Sequence, residues 1–359
     1  MRPTADCIWN SFLTSGKRHL ILTGMRKSGK TTLLKKICPP EMPGITTFAE
    51  PGKCVWLMDN VSGMKAMVGV FDETIEGHEN RMRICREGFE GLGIQVIERC
   101  LSAENERVSI DEIGYLECNC DAYMDGLRRL MDAKRVIAAV RKQDIPFLKE
   151  ICNRSDVFCI DLDKPFGNTG CVIMASGMGK RFGGNKLMAD FNGKPMIQRV
   201  IETTDGIFVR RIVVTRHDEV ADLCRSLSVD VILHDKPFRS DTVRLGIETM
   251  DGMDACLFCP GDQPLISRDT LMALAVSGTN DGESIFRVCF EDTPGSPILF
   301  PKRDFRKLME LPEGRGGGYI AMKSPERVKM VPVRNQYELM DADTPEEFKA
   351  LMEIDGERQ

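Results

Sequence analysis

The chain has 359 residues and a mass of 40.3 kDa, enough at roughly 150 residues per domain for two full cores. Its 49 Lys plus Arg against 54 Asp plus Glu leave a net charge of −5 with no blocks of one sign, which argues against an electrostatic nucleic-acid or membrane-surface binder and for small ligands. With 42% hydrophobic residues, no apolar run near the roughly 18 residues of a membrane span, and a start (MRPTADCIWNSFLTSGKRHLIL) without the pattern of a secretion signal, the expectation is a soluble cytoplasmic protein.

In chain order, the first half alternates β-branched runs with amphipathic stretches. The strand HLILT (19–23) leads into a helix from Lys30 to Ile37; then come a helix near 89–102, the strand RVSID (107–111), a helix near 121–133, RVIAAV (135–140) and DVFCIDL (156–162). Such alternation predicts a parallel sheet covered by helices. In the helix near 89–102, Leu92, Val96, Ile97, Cys100 and Leu101 form one apolar stripe that reads as core. Pro165, Gly167 and Gly170 then punctuate the chain, placing a boundary that divides it into domains 1–166 and 167–359. The second half repeats the alternation: CVIMA (171–175), a glycine-rich loop at 176–186, a helix from Pro195, RIVVT (211–215), a helix after Asp218, and VDVIL (229–233). A helix from Ser240, the CLFCPGD strand, a helix near 267–276, IFRVC, SPILFP, RVKMVPV and a helix opened by DTPEEF follow, with Pro345 at its first turn.

The 14 cysteines are expected to be thiols. Cys256 and Cys259 form a CxxC within a strand, where residues three apart point to opposite faces, so they read as buried small hydrophobes. Cys118 and Cys120 read as surface or loop thiols, and the 21 methionines as core filler. His217 and His234, each just past a strand end, are assigned no role.

HLILTGMRKSGKTTLLKKI places Gly24, Gly29, Lys30 and Thr31 in the spacing G-x-x-x-x-G-K-[ST] between a strand and a helix. Glycines let backbone amides wrap a phosphate, the helix N-terminus adds positive charge, Lys30 reaches the β- and γ-phosphates, and the Thr31 hydroxyl meets Mg²⁺. Gly24, Ser28, Gly29, Lys30, Thr31 and Thr32 are therefore the candidate nucleotide contacts. About eighty residues on, RVSI ends in Asp111, the candidate metal partner, and Glu112, the candidate water activator. The continuation DEIGYLE resembles the signature of a P-loop nucleoside-triphosphatase family over roughly residues 18–163. That resemblance implies a three-layer α/β/α domain hydrolysing nucleoside triphosphates of broad base preference. Arg26 and Lys27 depart from the small residues usual inside the loop, which implies extra phosphate contacts or slow turnover.

CVIMASGMGKRFGGNKLMADFNGKPMIQRVI packs Gly177, Gly179, Gly183 and Gly184 with Lys180, Arg181 and Lys186 after a strand end. Glycines there let a triphosphate lie against the backbone, while Arg181 and Lys186 neutralise charge building on the α,β-bridging oxygen. The pattern resembles the MobA-like nucleotidyltransferases. With CPGDQPLIS, GSPILFPK, LPEGRGGGYI and DADTPEEF, it is most similar to molybdenum cofactor cytidylyltransferases over about 170–354. The resemblance implies a Rossmann-like α/β domain with a mostly parallel sheet. In it Arg181, Lys186 and Asp262 are catalytic, Asp262 and Asp343 hold Mg²⁺, and Ala175, Ser176, Gly177 and Gly179 line the nucleotide. For Asp343 the alternative is a helix cap.

The implied reaction is nucleotidyl transfer from CTP to molybdopterin with pyrophosphate release. The alternatives are GTP as donor, a sugar or polyol phosphate as acceptor, or a first half that is a non-catalytic switch docking a client molybdenum enzyme. Ser176 stands where alanine or glycine is usual, and GRGGG lacks the usual acidic residue.

Overall fold

The computed structural model describes residues 1–75, 82–179 and 181–357. It forms two compact units, one of Gly16–Lys164 and one of residues 1–15 together with the chain from Pro165 onward.

The Gly16–Lys164 unit is built on β1 (His19–Gly24), β2 (Gly44–Glu50), β3 (Cys54–Asp59), β4 (Lys65–Phe71), β5 (Met82–Ile84), β6 (Arg107–Ile113), β7 (Arg135–Arg141) and β8 (Val157–Asp161). The sheet order is β5-β4-β3-β2-β6-β7-β1-β8. The run β2-β6-β7-β1-β8 is parallel, as the strand and helix alternation predicts. Beyond β2, three antiparallel strands extend the sheet. No clean apolar stripe in the sequence announces them: β2–β3 and β3–β4 are joined by short turns around Gly52 and Gly63, and β4 is only partly buried. Val96, Ile97 and Cys100 of the helix Ile94–Ser102 pack with Tyr123, Leu127 and Leu130 of the helix Asp121–Ala133 over Val108, Ile110, Val136 and Ala138 of the sheet. Each such side chain contributes about 2 kcal/mol by leaving water. Leu92 and Leu101 flank this cluster partly buried, so the predicted stripe is the core face.

The second unit is built on β9 (Thr169–Ala175), β10 (Arg210–Thr215), β11 (Asp230–Leu233), β12 (Ala255–Pro260), β13 (Ile285–Phe290), β14 (Thr293–Pro301) and β15 (Val328–Pro332), in the order β11-β10-β9-β12-β14-β13-β15. Strands β9 to β12 run parallel, β14 is antiparallel to both its neighbours, and β15 is parallel to β13. The chain winds from β9 outward to β11, then crosses to β12 on the other side of β9. That reversal opens a crevice at the carboxyl ends of β9 and β12, where ligands of open α/β sheets bind.

Residues 1–15, which the sequence analysis assigns to the first half, pack on this second unit. The helix Arg268–Asn280 is buried around its whole circumference from Thr270 to Gly278, so a sheet on one side cannot cover it. The helix Ala5–Ser15 supplies the other cover through Cys7, Ile8, Ser11 and Phe12, and the Ser11 hydroxyl donates to the Ala273 carbonyl at 3.1 Å. Cys256 and Cys259 are both buried in β12. Among the described residues no group of three or more His, Cys, Asp or Glu is placed to hold a metal by itself, and no helix is long and apolar enough to cross a membrane.

Candidate functional site

In the Gly16–Lys164 unit, β1 ends at Gly24 with φ +149°, where a Cβ would lie 2.7 Å from the Ser28 Oγ, so only glycine lets the loop close. The helix Lys30–Ile37 starts directly after Gly29. Lys30 is buried, its Nζ donating to the carbonyls of Gly24 at 2.9 Å and Met25 at 3.1 Å. Ser28 is buried beside it, while Arg26, Lys27, Thr31 and Thr32 are exposed. The loop is braced from β8, since the Met25 N–H donates to the Asp163 carboxylate at 2.9 Å.

Strand β7 lies between β1 and β6, yet the Thr31 hydroxyl reaches across to donate to Asp111 Oδ1 at 2.9 Å. Burial holds the Asp111 carboxyl above its usual range, with the Thr31 hydrogen bond opposing. Glu112 stands 3.6 Å from Lys30 and is gripped by both arms of Arg141, at 3.2 and 3.3 Å. Glu117, the last residue of DEIGYLE, has no assigned role in the sequence analysis. It is 3% exposed, accepts the Gly114 N–H at 2.8 Å, and is pushed up to about 7 by burial. A cleft of about 420 Å³ opens beside Glu112, with Arg26, Phe48, Tyr115, Glu117 and Arg141 in its walls.

In the second unit, the glycine loop leaves β9 and turns at Gly179, whose φ of +56° brings it against the Gly184 carbonyl where a Cβ would collide. The turn carries the chain to Lys186, which is 5% exposed in the short helix Lys186–Met188. Its ammonium donates to Asp262 at 2.7 Å and to Asp343 at 2.6 Å. Burial opposes the charge on Lys186, but Asp262 and Asp343 outweigh it and hold its pKa above the ordinary lysine value. Lys186, assisted by Arg181, in turn holds the Asp343 carboxyl below its usual range. Arg181 is mostly exposed and pairs with Asp343 as well. Lys180 lies outside the described residues.

Asp343 does not cap the helix Pro345–Glu357. The Thr344 hydroxyl accepts the Glu347 N–H at 3.2 Å, and the Glu347 carboxylate accepts the N–H groups of Asp343 and Thr344, so the cap leaves the Asp343 carboxylate for Lys186. Asp341, in the same DADTPEEF stretch, also lines the site. Although the residue is solvent-exposed overall, desolvation of its carboxyl together with neighbouring Asp262 pushes it up to about 6.

A cleft of about 500 Å³ is lined by Ser176 and Gly177, by Phe238 and Thr242, and by Asp262 and Asp343. Ala175 is not part of its lining: its side chain is buried and its carbonyl accepts the Thr215 hydroxyl at 2.9 Å. Ser240, fully buried at the start of the helix Arg239–Glu248, has a hydroxyl without a partner among the described residues. Both histidines left without a role meet the glycine loop, His234 through the Ser176 hydroxyl and His217 through the Gly177 carbonyl, each at 2.9 Å.

Residues 171–328 match the family described as MobA-like NTP transferase domain, and residues 53–166 match the family described as NTPase. The chain joins an NTPase domain to a MobA-like NTP transferase domain. Over 156 residues it is 26% identical to Nucleoside-triphosphatase THEP1 of Thermotoga sp. (strain RQ2), covering 42% of this chain and 89% of that protein. Over 196 residues it is 24% identical to the Probable molybdenum cofactor guanylyltransferase of Aquifex aeolicus, covering 52% of this chain and 91% of that protein. Over 132 residues it is 33% identical to the 3-deoxy-manno-octulosonate cytidylyltransferase of Colwellia psychrerythraea, covering 34% of this chain and 46% of that protein. The NTPase match begins beyond the phosphate loop at residues 24–31.

Proposed function

We propose that the MobA-like domain transfers a nucleotidyl group, CMP in preference, from a nucleoside triphosphate to the terminal phosphate of molybdopterin, and that the NTPase domain hydrolyses nucleoside triphosphates. The observation that carries the transferase reading is the buried Lys186 ammonium bound to both Asp262 and Asp343, two carboxylates that line the nucleotide-sized cleft. An oxygen of the acceptor phosphate attacks the α-phosphorus, the bond to the bridging oxygen breaks, and pyrophosphate leaves. Lys186 and Arg181 neutralise the leaving pyrophosphate, exchanging carboxylate partners for phosphate oxygens. A phosphate monoester is already a competent nucleophile, so positioning supplies most of the remaining rate.

Two carboxylates that share one ammonium converge closely enough to share one Mg²⁺, which suits a metal that takes one or two carboxylates and completes its shell from substrate phosphates. Bound there, Mg²⁺ would screen the triphosphate charge. The Thr31 hydroxyl facing Asp111 forms the corresponding pair in the NTPase domain. There Lys30 turns from the loop carbonyls to the β- and γ-phosphates, and Glu112, oriented by Arg141, takes a proton from the attacking water.

The preference for CTP rests on Ser176, which lines the cleft and carries a β-carbon that leaves less room for a purine than glycine would; the Ala175 side chain is buried outside the cleft and adds no such bulk. The second reading is GTP, which the guanylyltransferase name of the Aquifex aeolicus relative favours. Pyrophosphate release with each of four triphosphates plus molybdopterin decides between them. CTP is expected to lead by no more than about 10²-fold, the limit of size discrimination in such pockets. A lead for GTP overturns the cytidylyl reading, and an unchanged ratio in Ser176→Gly overturns the steric account.

A further inference from the structure

We infer that His234 is a positioning residue of the donor site, its imidazole acting through the Ser176 hydroxyl to fix the loop against which the nucleotide lies. The inference rests on the reading of this cleft as the donor site.

Strand register brings the parts together. Ala175 of β9 is level with Thr215 of β10, and Thr215 with Leu233 of β11, so the residues that follow each strand lie side by side at one edge. His234 is anchored there by its own N–H, which donates to the Thr215 carbonyl at 3.0 Å. Its Nδ1 faces the backbone N–H of Lys236 at 3.2 Å. A ring nitrogen that accepts a hydrogen bond carries no proton, so the network assigns the proton of the neutral imidazole to Nε2. Nε2–H then donates to Ser176 Oγ at 2.9 Å, and the Ser176 hydroxyl donates to the Val214 carbonyl at 3.1 Å. Every direction in this chain is fixed, because it starts at a group that can only donate and ends at one that can only accept. The Ser176 hydroxyl is thereby tied back to the sheet, which holds its Cβ at one place on the cleft wall. This pairing gives Ser176, where alanine or glycine is usual, a specific partner.

The chain works only with a neutral ring. Protonation would place an N–H on Nδ1 against the Lys236 N–H, breaking the anchor that orients the imidazole. The charged groups around His234 are Arg216 after β10, Asp235 and Lys236 on its own loop, and Asp241 in the helix Arg239–Glu248. Burial, then Arg216, outweighs the opposing Asp241 and Asp235 and holds the ring's pKa below the ordinary histidine value. His217 meets the same loop separately, its Nε2–H donating to the Gly177 carbonyl at 2.9 Å.

The test uses the full chain carrying Lys30→Ala, which silences the phosphate loop of the NTPase domain, with CTP and GTP titrated by calorimetry from neutral to mildly acidic buffer. His234→Leu is expected to weaken the better donor about tenfold at neutral pH, the scale of one or two hydrogen bonds. His234→Gln supplies an N–H that does not titrate. It should bind within about threefold of the parent at neutral pH and weaken less than the parent on the acid side, where Asp341 and the triphosphate titrate in both. Ser176→Ala is a mild change that should reproduce the His234→Leu loss, with no further loss in the double variant, because the two act as one chain. Unchanged affinity in both His234→Leu and Ser176→Ala, an acid-side weakening as large in His234→Gln as in the parent, or additive losses in the double variant overturns the inference while leaving the donor site standing. A parent that binds neither triphosphate overturns the donor-site reading and this inference with it.

Discussion

Thr31 and Asp111, eighty positions apart, meet through a 2.9 Å hydrogen bond that spans the intervening strand β7. The bond joins the hydroxyl and carboxylate that a phosphate-bound Mg²⁺ would need. Asp111→Asn keeps the shape and the contact but removes the charge, so triphosphate affinity should lose its dependence on Mg²⁺. Lys30→Ala should abolish phosphate release yet leave pyrophosphate release by the transferase domain nearly intact, since Lys30 and Lys186 belong to different compact units. Loss of both activities in Lys30→Ala would show one composite site.

Glu112 is held by Arg141 rather than left free at a strand end, and that grip is what suits it to aim a water. Glu112→Gln should bind nucleotide normally and hydrolyse it more slowly by about 10²-fold or more, the usual contribution of a positioned base. A single-turnover experiment separates the two steps. Hydrolysis at the wild-type rate would remove Glu112 from the chemistry.

The two glycine loops were legible in the sequence because each motif is a short run whose spacing alone sets the backbone around phosphate. Asp111 and Asp262 were legible because a carboxylate at a strand end is placed by the strand itself. His217 and His234 were not, because their partners Gly177 and Ser176 lie on another strand's loop, and only the register of β9, β10 and β11 brings them together. The helix Ala5–Ser15 shows a similar limit. Its buried face, Cys7, Ile8 and Phe12, is readable as amphipathic, but nothing local says which core it covers.

Asp262 and Asp343 share Lys186, and the helix after Asp343 is capped by Thr344 and Glu347 instead. Asp262→Ala and Asp343→Ala should therefore each slow nucleotidyl transfer by roughly 10²–10³, the cost of losing one group that stabilises developing charge. Thr344→Ala should lower stability by about 1 kcal/mol and leave turnover close to wild type. Pyrophosphate release and a denaturant melt on the three variants check this. Activity lost in Thr344→Ala but kept in Asp343→Ala would reverse the two assignments.

Glu117 predicts how the NTPase domain responds to pH. Its carboxyl, ordinarily near 4.5, is pushed up to about 7 by burial, so the folded chain keeps this proton where the unfolded chain has released it. Between those values the unfolded state binds fewer protons, and stability from this group falls as pH rises through the window and levels off above it. Glu117→Gln keeps an acceptor for the Gly114 N–H and has no proton to lose. Buried His19 acts in the opposite sense, since burial lowers its pKa and its contribution is lost as pH falls below the ordinary histidine value. The difference between parent and variant therefore isolates Glu117. The chain has two tryptophans, Trp9 and Trp56, so Trp9→Phe leaves Trp56 of β3 as the sole tryptophan, which selective excitation reads without the tyrosines. Melts followed at Trp56 should show Glu117→Gln gaining several degrees over its parent in mildly alkaline buffer, with the gap closing in acid. A gap that does not change with pH would mean that Glu117 stays ionised in its buried place.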